Sequence, residues 1–368
     1  MHDYLVDKGG AERVLEIFHE IFPEAPIFTS IYDPDTTFPS FRTMDVRPSF
    51  LQHFIASKKR YRWLLPFYPM AFESFDFTGY DLVLSSTTSF AKGVITGPDT
   101  LHICFCFTPT RFLWRTEDYL RHASFRRKWR PLMTPVLHHL RLWDFAAAQR
   151  VDHFIAQSCV VARRIRKWYG RESIIIHSPI DVTRFQIDNQ VEDYYLVVSR
   201  LEPYKRIDLP IEVFNRIGLP LLIVGDGSDK HRLRKLAKPN IRFLGFVPEE
   251  QLVRIYARCR ALIFPGEEDF GLTPLEANAS GRPVIAYAGG GALETVIEGV
   301  TGVFFREATA AALAEAVKNI TFNAFDPVAM RAHAMKFDKE IFREKIRSFL
   351  SEKLGLTLSL EAKKKSAV

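Results

Sequence analysis

The sequence predicts an α/β fold of two doubly wound domains, and three observations carry that prediction. The chain has 368 residues, enough for two domains that each bury a core. Short apolar runs such as Leu221-Leu222-Ile223-Val224 alternate with longer segments whose apolar residues recur at helical spacing. Glycines stand just past several of those runs, at Gly9-Gly10, Gly225, Gly227, Gly271 and Gly289-Gly290-Gly291. That is where a Rossmann-like parallel sheet turns its ligand-binding edge.

Composition narrows the class. Hydrophobic residues make up 47% and charged residues 25%, the balance of a folded globular protein and not of a disordered one. Cys104, Cys106, Cys159 and Cys259 have no zinc spacing, so all four are expected as reduced core thiols. No stretch reaches the length of a membrane-spanning helix, and no apolar segment of the signal-peptide kind opens the chain. The expected location is the cytoplasm or the inner face of a membrane. The net charge of +7 is unevenly placed: residues 57–63 and 121–130 mix Lys and Arg with aromatics. Such segments suit peripheral contact with an anionic membrane, and equally a pair of solvated basic helices. No nucleic-acid-binding motif accompanies them.

In chain order, Met1 to Arg13 reads as the end of a strand, a glycine turn at Gly9-Gly10 and a helix starting at Ala11 and running to Phe22. Val14, Leu15, Ile17 and Phe18 give that helix its apolar face. Residues 26–31 and 81–86 read as strands, the second ending in Ser85 and Ser86, which together with Lys92 are candidates for the cleft. Residues 101–107 form another strand, followed by Thr108-Pro109 and a segment carrying Arg111. His102 lies an odd number of positions from Phe107, faces the other side of the strand and reads as a core histidine. A strand at 151–158, a basic helix at 160–169 and a strand at 174–181 follow. The polar stretch 184–193 marks the domain boundary, giving an N-terminal domain of 1–185 and a C-terminal domain of 190–335.

The second domain opens with a strand at 194–199 and the basic loop Arg200-Leu201-Glu202-Pro203-Tyr204-Lys205-Arg206. Arg200 and Lys205, before a helix start, suit a diphosphate; Arg206 is expected to face solvent. Gly225 and Gly227 let the backbone approach a nucleotide, and residues 241–247 form the next strand and turn. The central segment is Phe264 to Ala277. A buried strand ends there, Glu268 sits in the loop at its carboxyl end, and Glu276 lies one or two turns into the following helix. Gly271 allows close backbone approach, and the helix start offers free N–H groups to a phosphate. Residues 336–368 are a helix crossing back to the first domain and a basic tail ending in three lysines.

Glu268-Asp269-Phe270-Gly271-Leu272-Thr273-Pro274-Leu275-Glu276, followed by Gly281-Arg282-Pro283-Val284-Ile285-Ala286, resembles the retaining nucleotide-sugar glycosyltransferases of family four. The resemblance is strongest over residues 190–305. It implies a GT-B architecture, two Rossmann-like domains facing a cleft. It also implies an apolar strand before His2-Asp3, so the N-terminal domain is expected to lack its first strand, from a start further upstream or a truncation. The resemblance gives Arg200 and Lys205 the donor diphosphate, Glu268 the sugar hydroxyls and Glu276 the ribose. Phe270, Gly271 and Leu272 offer backbone N–H groups. Gly10 and Gly225 lie near the donor, with Phe246 and Val247 as the wall for the base. Gly9, Phe107, Thr108 and Arg111 stand on the acceptor side. In the family the residue before Thr108-Pro109 is commonly a histidine pointing at the sugar, and this chain has Phe107.

Retaining transfer from a nucleoside diphosphate sugar to a glycan or polyprenyl-linked acceptor follows from the resemblance, with catalytic roles for Glu268, Arg200 and Lys205. No cofactor and no metal are expected, since no Asp-x-Asp stands at a strand end. Similarity around Gly9-Gly10-Ala11-Glu12 and Thr108 to Arg111 leans toward bacterial mannosyltransferases of surface-polysaccharide assembly that use GDP-mannose; a UDP-sugar stays open. Two other readings are a sugar-nucleotide epimerase of the same architecture and a non-catalytic nucleotide-sugar-binding scaffold subunit.

Overall fold

Strands with both faces covered read as nearly continuous apolar runs, and Leu101 to Cys106 is such a run, buried from its second residue on. It is β4 of an N-terminal parallel sheet in a computed structural model that describes residues 1–54, 64–116 and 124–355, the side chains of 124–132 excepted. β3 (Leu82–Thr87), β4, β5 (His153–Ala156) and β6 (Ser173–Ile175) lie side by side, and β1 (Ile27–Thr29) pairs with β2 (Val46–Pro48). Between β1 and β3 runs the start of the chain. His2 bridges both Thr29 and Ser86, Leu5 bridges Tyr32, and the Ser86 amide donates to the Met1 carbonyl at 2.9 Å. The expected empty slot is therefore occupied, by single bridges rather than by a regular strand.

Helix α1 (Gly10–Ile21) leaves the glycine turn and buries Val14, Ile17 and Phe18 against β4. The described helices α2 (Tyr68–Glu73), α3 (Arg111–Trp114), α4 (Ser124–Gln149) and α5 (Cys159–Tyr169) complete this half. Residues 57–63 lie outside the described residues. So do 121–123, and from 124 to 130 only the helical backbone is described, so the two basic-aromatic segments gain no structural account.

The C-terminal sheet is parallel in the order β12-β11-β10-β7-β8-β9, with apolar clusters on both faces. Its strands are β7 (Tyr195–Val198), β8 (Leu221–Val224), β9 (Ile241–Gly245), β10 (Leu262–Phe264), β11 (Val284–Tyr287) and β12 (Gly302–Phe305). The order reverses beside β7, between β10 and β8, which is the switch point where doubly wound sheets bind ligands. The helices between them are α6 (Asp208–Ile217), α7 (Lys230–Leu236), α8 (Glu249–Arg258), α9 (Leu272–Ala279), α10 (Ala292–Thr295) and α11 (Ala310–Asn319). After α12 (Pro327–Met335) the chain returns: Ile180 N–H donates to Phe337 O and Lys339 N–H to Ile180 O, both at 2.9 Å. Helix α13 (Lys339–Leu354) then packs Phe342, Ile346 and Phe349 onto the core of the N-terminal sheet.

Four residues depart from expectation. Lys92 is fully buried, ion-paired with the buried Asp144 and bonded to Thr110 Oγ1 at 3.2 Å, so it does not line the cleft. Ser85 and Ser86 are buried too, against His102 Nε2 and His2 Nδ1, each at 2.8 Å. His102 is the core histidine expected, and burial drives its pKa down to about 3. Cys159, unlike the other three thiols, is exposed at the start of α5. Burial pushes Cys104 and Cys259 up to about 12, which keeps them as inert thiols.

Candidate active site

Chain geometry brings the predicted C-terminal residues to one edge. β7 ends at Val198 and β10 at Phe264, neighbours in the sheet, so the Arg200–Lys205 loop and the Glu267–Gly271 loop leave side by side. Gly225, after β8, has φ +128°, and a Cβ there would lie 1.9 Å from Ser199 O. Only glycine fits, because the β7 and β8 loops touch through backbone at this point. Gly271, at φ +100°, caps α9, whose first-turn amides lack partners within the helix.

Within this edge Lys205 Nζ is ion-paired with Glu268, both side chains mostly buried. Burial lowers the Lys205 pKa, opposed by Glu268 and reinforced by Arg200. Arg200 donates to the Tyr204 hydroxyl at 3.0 Å. Arg206 takes the left-handed conformation at φ 57°, is about one-third exposed and meets Asp208 at 3.3 Å. Two cations and a helix start thus lie on adjacent loops, a kind of arrangement that can hold a dianionic diphosphate and the charge that builds on a leaving phosphate.

Glu276 lies one turn further in and accepts a hydrogen bond from Tyr256 Oη at 2.6 Å. Burial raises its pKa; the Tyr256 bond, Arg184 and Arg13 pull the other way. Phe246 stands 72% exposed at the end of β9, free to stack on a planar ligand, whereas Val247 is buried in the core and offers backbone. Phe270 is buried with its ring stacked on His177 at 5.3 Å, so it too contributes main chain only. Leu272 faces Gly10 so closely that a Cβ on Gly10 would meet Leu272 Cδ1 at 2.7 Å. Gly9 is extended, at φ −135°, and caps α1.

The N-terminal wall differs from what the sequence suggested. Phe107 is 6% exposed and sits edge-on to Phe105 at 5.1 Å, a core ring rather than a cleft ring. Its carbonyl, not its side chain, is used, accepting from Gln157 Nε2 at 2.5 Å. Thr108 Oγ1 is buried just past the strand end and has no hydrogen-bond partner among the described residues. Arg111 crosses to the other domain and pairs with Asp269, which also holds Arg164. Burial alone would raise the Asp269 pKa, but the two guanidiniums bring it below the usual carboxylate value.

Sequence reasoning missed the residues that hold this wall. Asp144 accepts from Trp114 Nε1 at 2.7 Å and Tyr169 Oη at 2.8 Å, and pairs with Lys92; it anchors the loop that aims Arg111. Asp3, buried, accepts from the amides of Ser89, Phe90 and Ala91 at 2.9, 2.8 and 2.7 Å and from Thr87 Oγ1 at 3.0 Å, fixing the loop after β3. Between the two halves Glu294 accepts from the Cys159 amide at 2.9 Å and meets His177 Nε2 at 3.1 Å. Arg13 meets Glu249 at 2.7 Å, and Arg184 pairs with the same carboxylate.

Comparison with known proteins agrees with this layout. Residues 181–336 match the family model described as "Glycosyl transferases group 1". The chain is 32% identical over 161 residues to glycogen synthase of Pseudomonas aeruginosa, covering 41% of this chain and 31% of that protein. It is 27% identical over 151 residues to the O-antigen chain mannosyltransferase RfbU of Salmonella typhimurium, covering 38% and 43%. It is 49% identical over 61 residues to the alpha-1,3/1,6-mannosyltransferase ALG2 of Dictyostelium discoideum, covering 16% and 14%. The chain thus spans less than half the length of these curated relatives. Among solved structures, Anabaena HepE in complex with UDP and glucose superposes with a TM-score of 0.68 at 18% identity, over 96% of this chain and 100% of that one. Sucrose-phosphate synthase of Thermosynechococcus elongatus gives 0.71 at 18%, over 96% and 99%. At such identity the likeness is one of fold, the two-domain GT-B architecture, and residues 181–336 are similar to the group 1 glycosyltransferases.

Proposed function

We propose that the protein is a retaining hexosyltransferase that moves a sugar from a nucleoside diphosphate donor to a glycan or polyprenyl-linked acceptor in polysaccharide assembly. The observation that carries this reading is the convergence of Arg200, Lys205, Glu268 and the α9 start on one side of the cleft, with Arg111 reaching them from the other. In the reaction the bond from the anomeric carbon to the diphosphate oxygen breaks, and a bond to the acceptor oxygen forms on the same face. The acceptor proton passes to the departing phosphate oxygen. Arg200 and Lys205 stabilise the charge that develops there, without need of a resident metal. Glu268 holds sugar hydroxyls and orients the donor, and Glu276 accepts from the two ribose hydroxyls.

Mannose from GDP-mannose is the favoured donor, supported by the names of RfbU and ALG2 among the relatives. The UDP and glucose bound to HepE support a UDP-sugar as the alternative. Peripheral contact with an anionic membrane is supported by Phe50, Phe54, Phe67 and Met70, exposed on either side of the basic segment 57–63. No helix among the described residues is long and apolar enough to cross a membrane. The burial of Phe107 favours one second reading, a non-catalytic nucleotide-sugar-binding subunit.

Incubating the protein with GDP-mannose and UDP-glucose and measuring release of the free nucleoside diphosphate separates the two. Transfer or slow hydrolysis is expected with one donor, with a loss of about a hundredfold or more in Glu268→Gln and nucleotide binding retained. No release from either donor by the folded protein leaves the binding subunit as the better account.

A further inference from the structure

The Arg200–Lys205 loop contains an aromatic residue that no part of the proposed chemistry uses. Tyr204 accepts from Arg200 Nη2 at 3.0 Å through its hydroxyl. The Lys205 ammonium lies 5.3 Å from its ring centroid, and the Arg111 guanidinium, from the other domain, lies 5.2 Å away. Both distances are within the range of cation–π attraction. Three cations that repel one another are therefore arrayed around one ring, two of them also tied to the adjacent carboxylates Glu268 and Asp269.

We propose that Tyr204 is a positioning residue that seats Arg111 beside Arg200 and Lys205, so that the N-terminal domain supplies a third cation to the distal phosphate of a nucleoside diphosphate. This inference rests on the donor reading above and adds a contact across the cleft to it. Arg111 can turn from Asp269 to a phosphate at small cost, because Asp269 keeps Arg164 as its partner. The sugar-bearing phosphate is then held by both domains, and diphosphate binding becomes a closing force on the cleft. A ligand with only the inner phosphate reaches the C-terminal cations and gains nothing from the N-terminal one.

Calorimetric titration of the full chain tests this with GDP, GMP, UDP and UMP against Arg111→Gln, Tyr204→Phe, Tyr204→Leu and the Arg111→Gln/Tyr204→Leu pair. Arg111→Gln should weaken the preferred diphosphate about ten- to a hundredfold, the worth of a charge-assisted hydrogen bond, and leave the monophosphate within about twofold. Tyr204→Phe keeps the ring and should lose less than Tyr204→Leu. The double variant should be no weaker than the worse single one, because the two act as one unit. Equal losses for mono- and diphosphate, or additive losses in the pair, would overturn the proposal. Should neither diphosphate bind the unsubstituted protein, the donor reading falls and this inference with it. Should a diphosphate bind and Arg111→Gln bind it equally well, the inference alone falls.

Discussion

In the C-terminal sheet the loops after β7, β8 and β10 deliver Arg200, Lys205, Gly225 and Glu268 to one edge, where Lys205 pairs with Glu268. The corresponding edge of the N-terminal sheet is lined by polar residues turned inward. Asp3 is surrounded by backbone amides, Asp144 by Lys92, Thr110, Trp114 and Tyr169, and Ser85 by His102. In one domain Lys205 and Glu268 pair with each other at the mouth of the loops, as expected of a ligand edge under the proposed function; in the other the buried charges hold loops that shape the opposite wall. Arg111 is the exception that links them, because the buried network ends in the residue that reaches across.

That contrast can be broken at several points. The largest effect should come from Asp144→Ala, which strands a fully buried Lys92 and should cost about 3–5 kcal/mol in urea unfolding, as for the loss of one partner of a buried pair. A cost below about 1 kcal/mol would mean that the N-terminal network is not structural in the sense described.

The pH dependence of Glu276 sharpens the contrast from the ligand side. Its pKa is raised by burial above the usual 4.5, so the folded protein takes up a proton at a pH where the unfolded chain does not. Its contribution to stability is thus favourable below 4.5 and is lost as pH rises through the folded value. Nucleotide affinity should run the opposite way, since accepting two ribose hydroxyls needs the ionised carboxylate: it should fall as pH drops through that same raised value. Titrations at several pH values should show the fall in the unsubstituted protein and its absence in Glu276→Gln. The smallest effect on stability belongs to Phe246→Ala, within about 0.5 kcal/mol for a residue so exposed, with weaker binding of the base as its only consequence. Unfolding curves and nucleotide titrations of the same sample check both halves of that statement.

These differences follow what could be read in the chain. Arg200, Lys205, Glu268 and Glu276 were legible because each lies in a strand-loop-helix unit whose parts are adjacent in sequence. The order of the elements in the second domain was legible for the same reason. Asp269 was not, since its partners Arg111 and Arg164 are 158 and 105 residues away. A lysine just past a strand ending in serines suits a ligand edge, so the sequence alone puts Lys92 in the cleft; its buried partner lies 52 residues on. Phe107 stands where the resemblance expects a ligand-facing side chain, and an apolar ring there turns into the core between Phe105 and α1. His2 and Asp3 could be seen as the end of a strand, but nothing local told that Asp3 would bind the loop after β3.

The central claim is that the C-terminal edge of the cleft is a nucleoside diphosphate site. Thermal unfolding of the protein and of Lys205→Ala, each with GDP and with UDP, tests it most directly, because a ligand that binds only the folded state raises the melting temperature. The account predicts a rise with one of the two nucleotides that is lost in Lys205→Ala. No rise with either, or a rise that Lys205→Ala leaves unchanged, would contradict it.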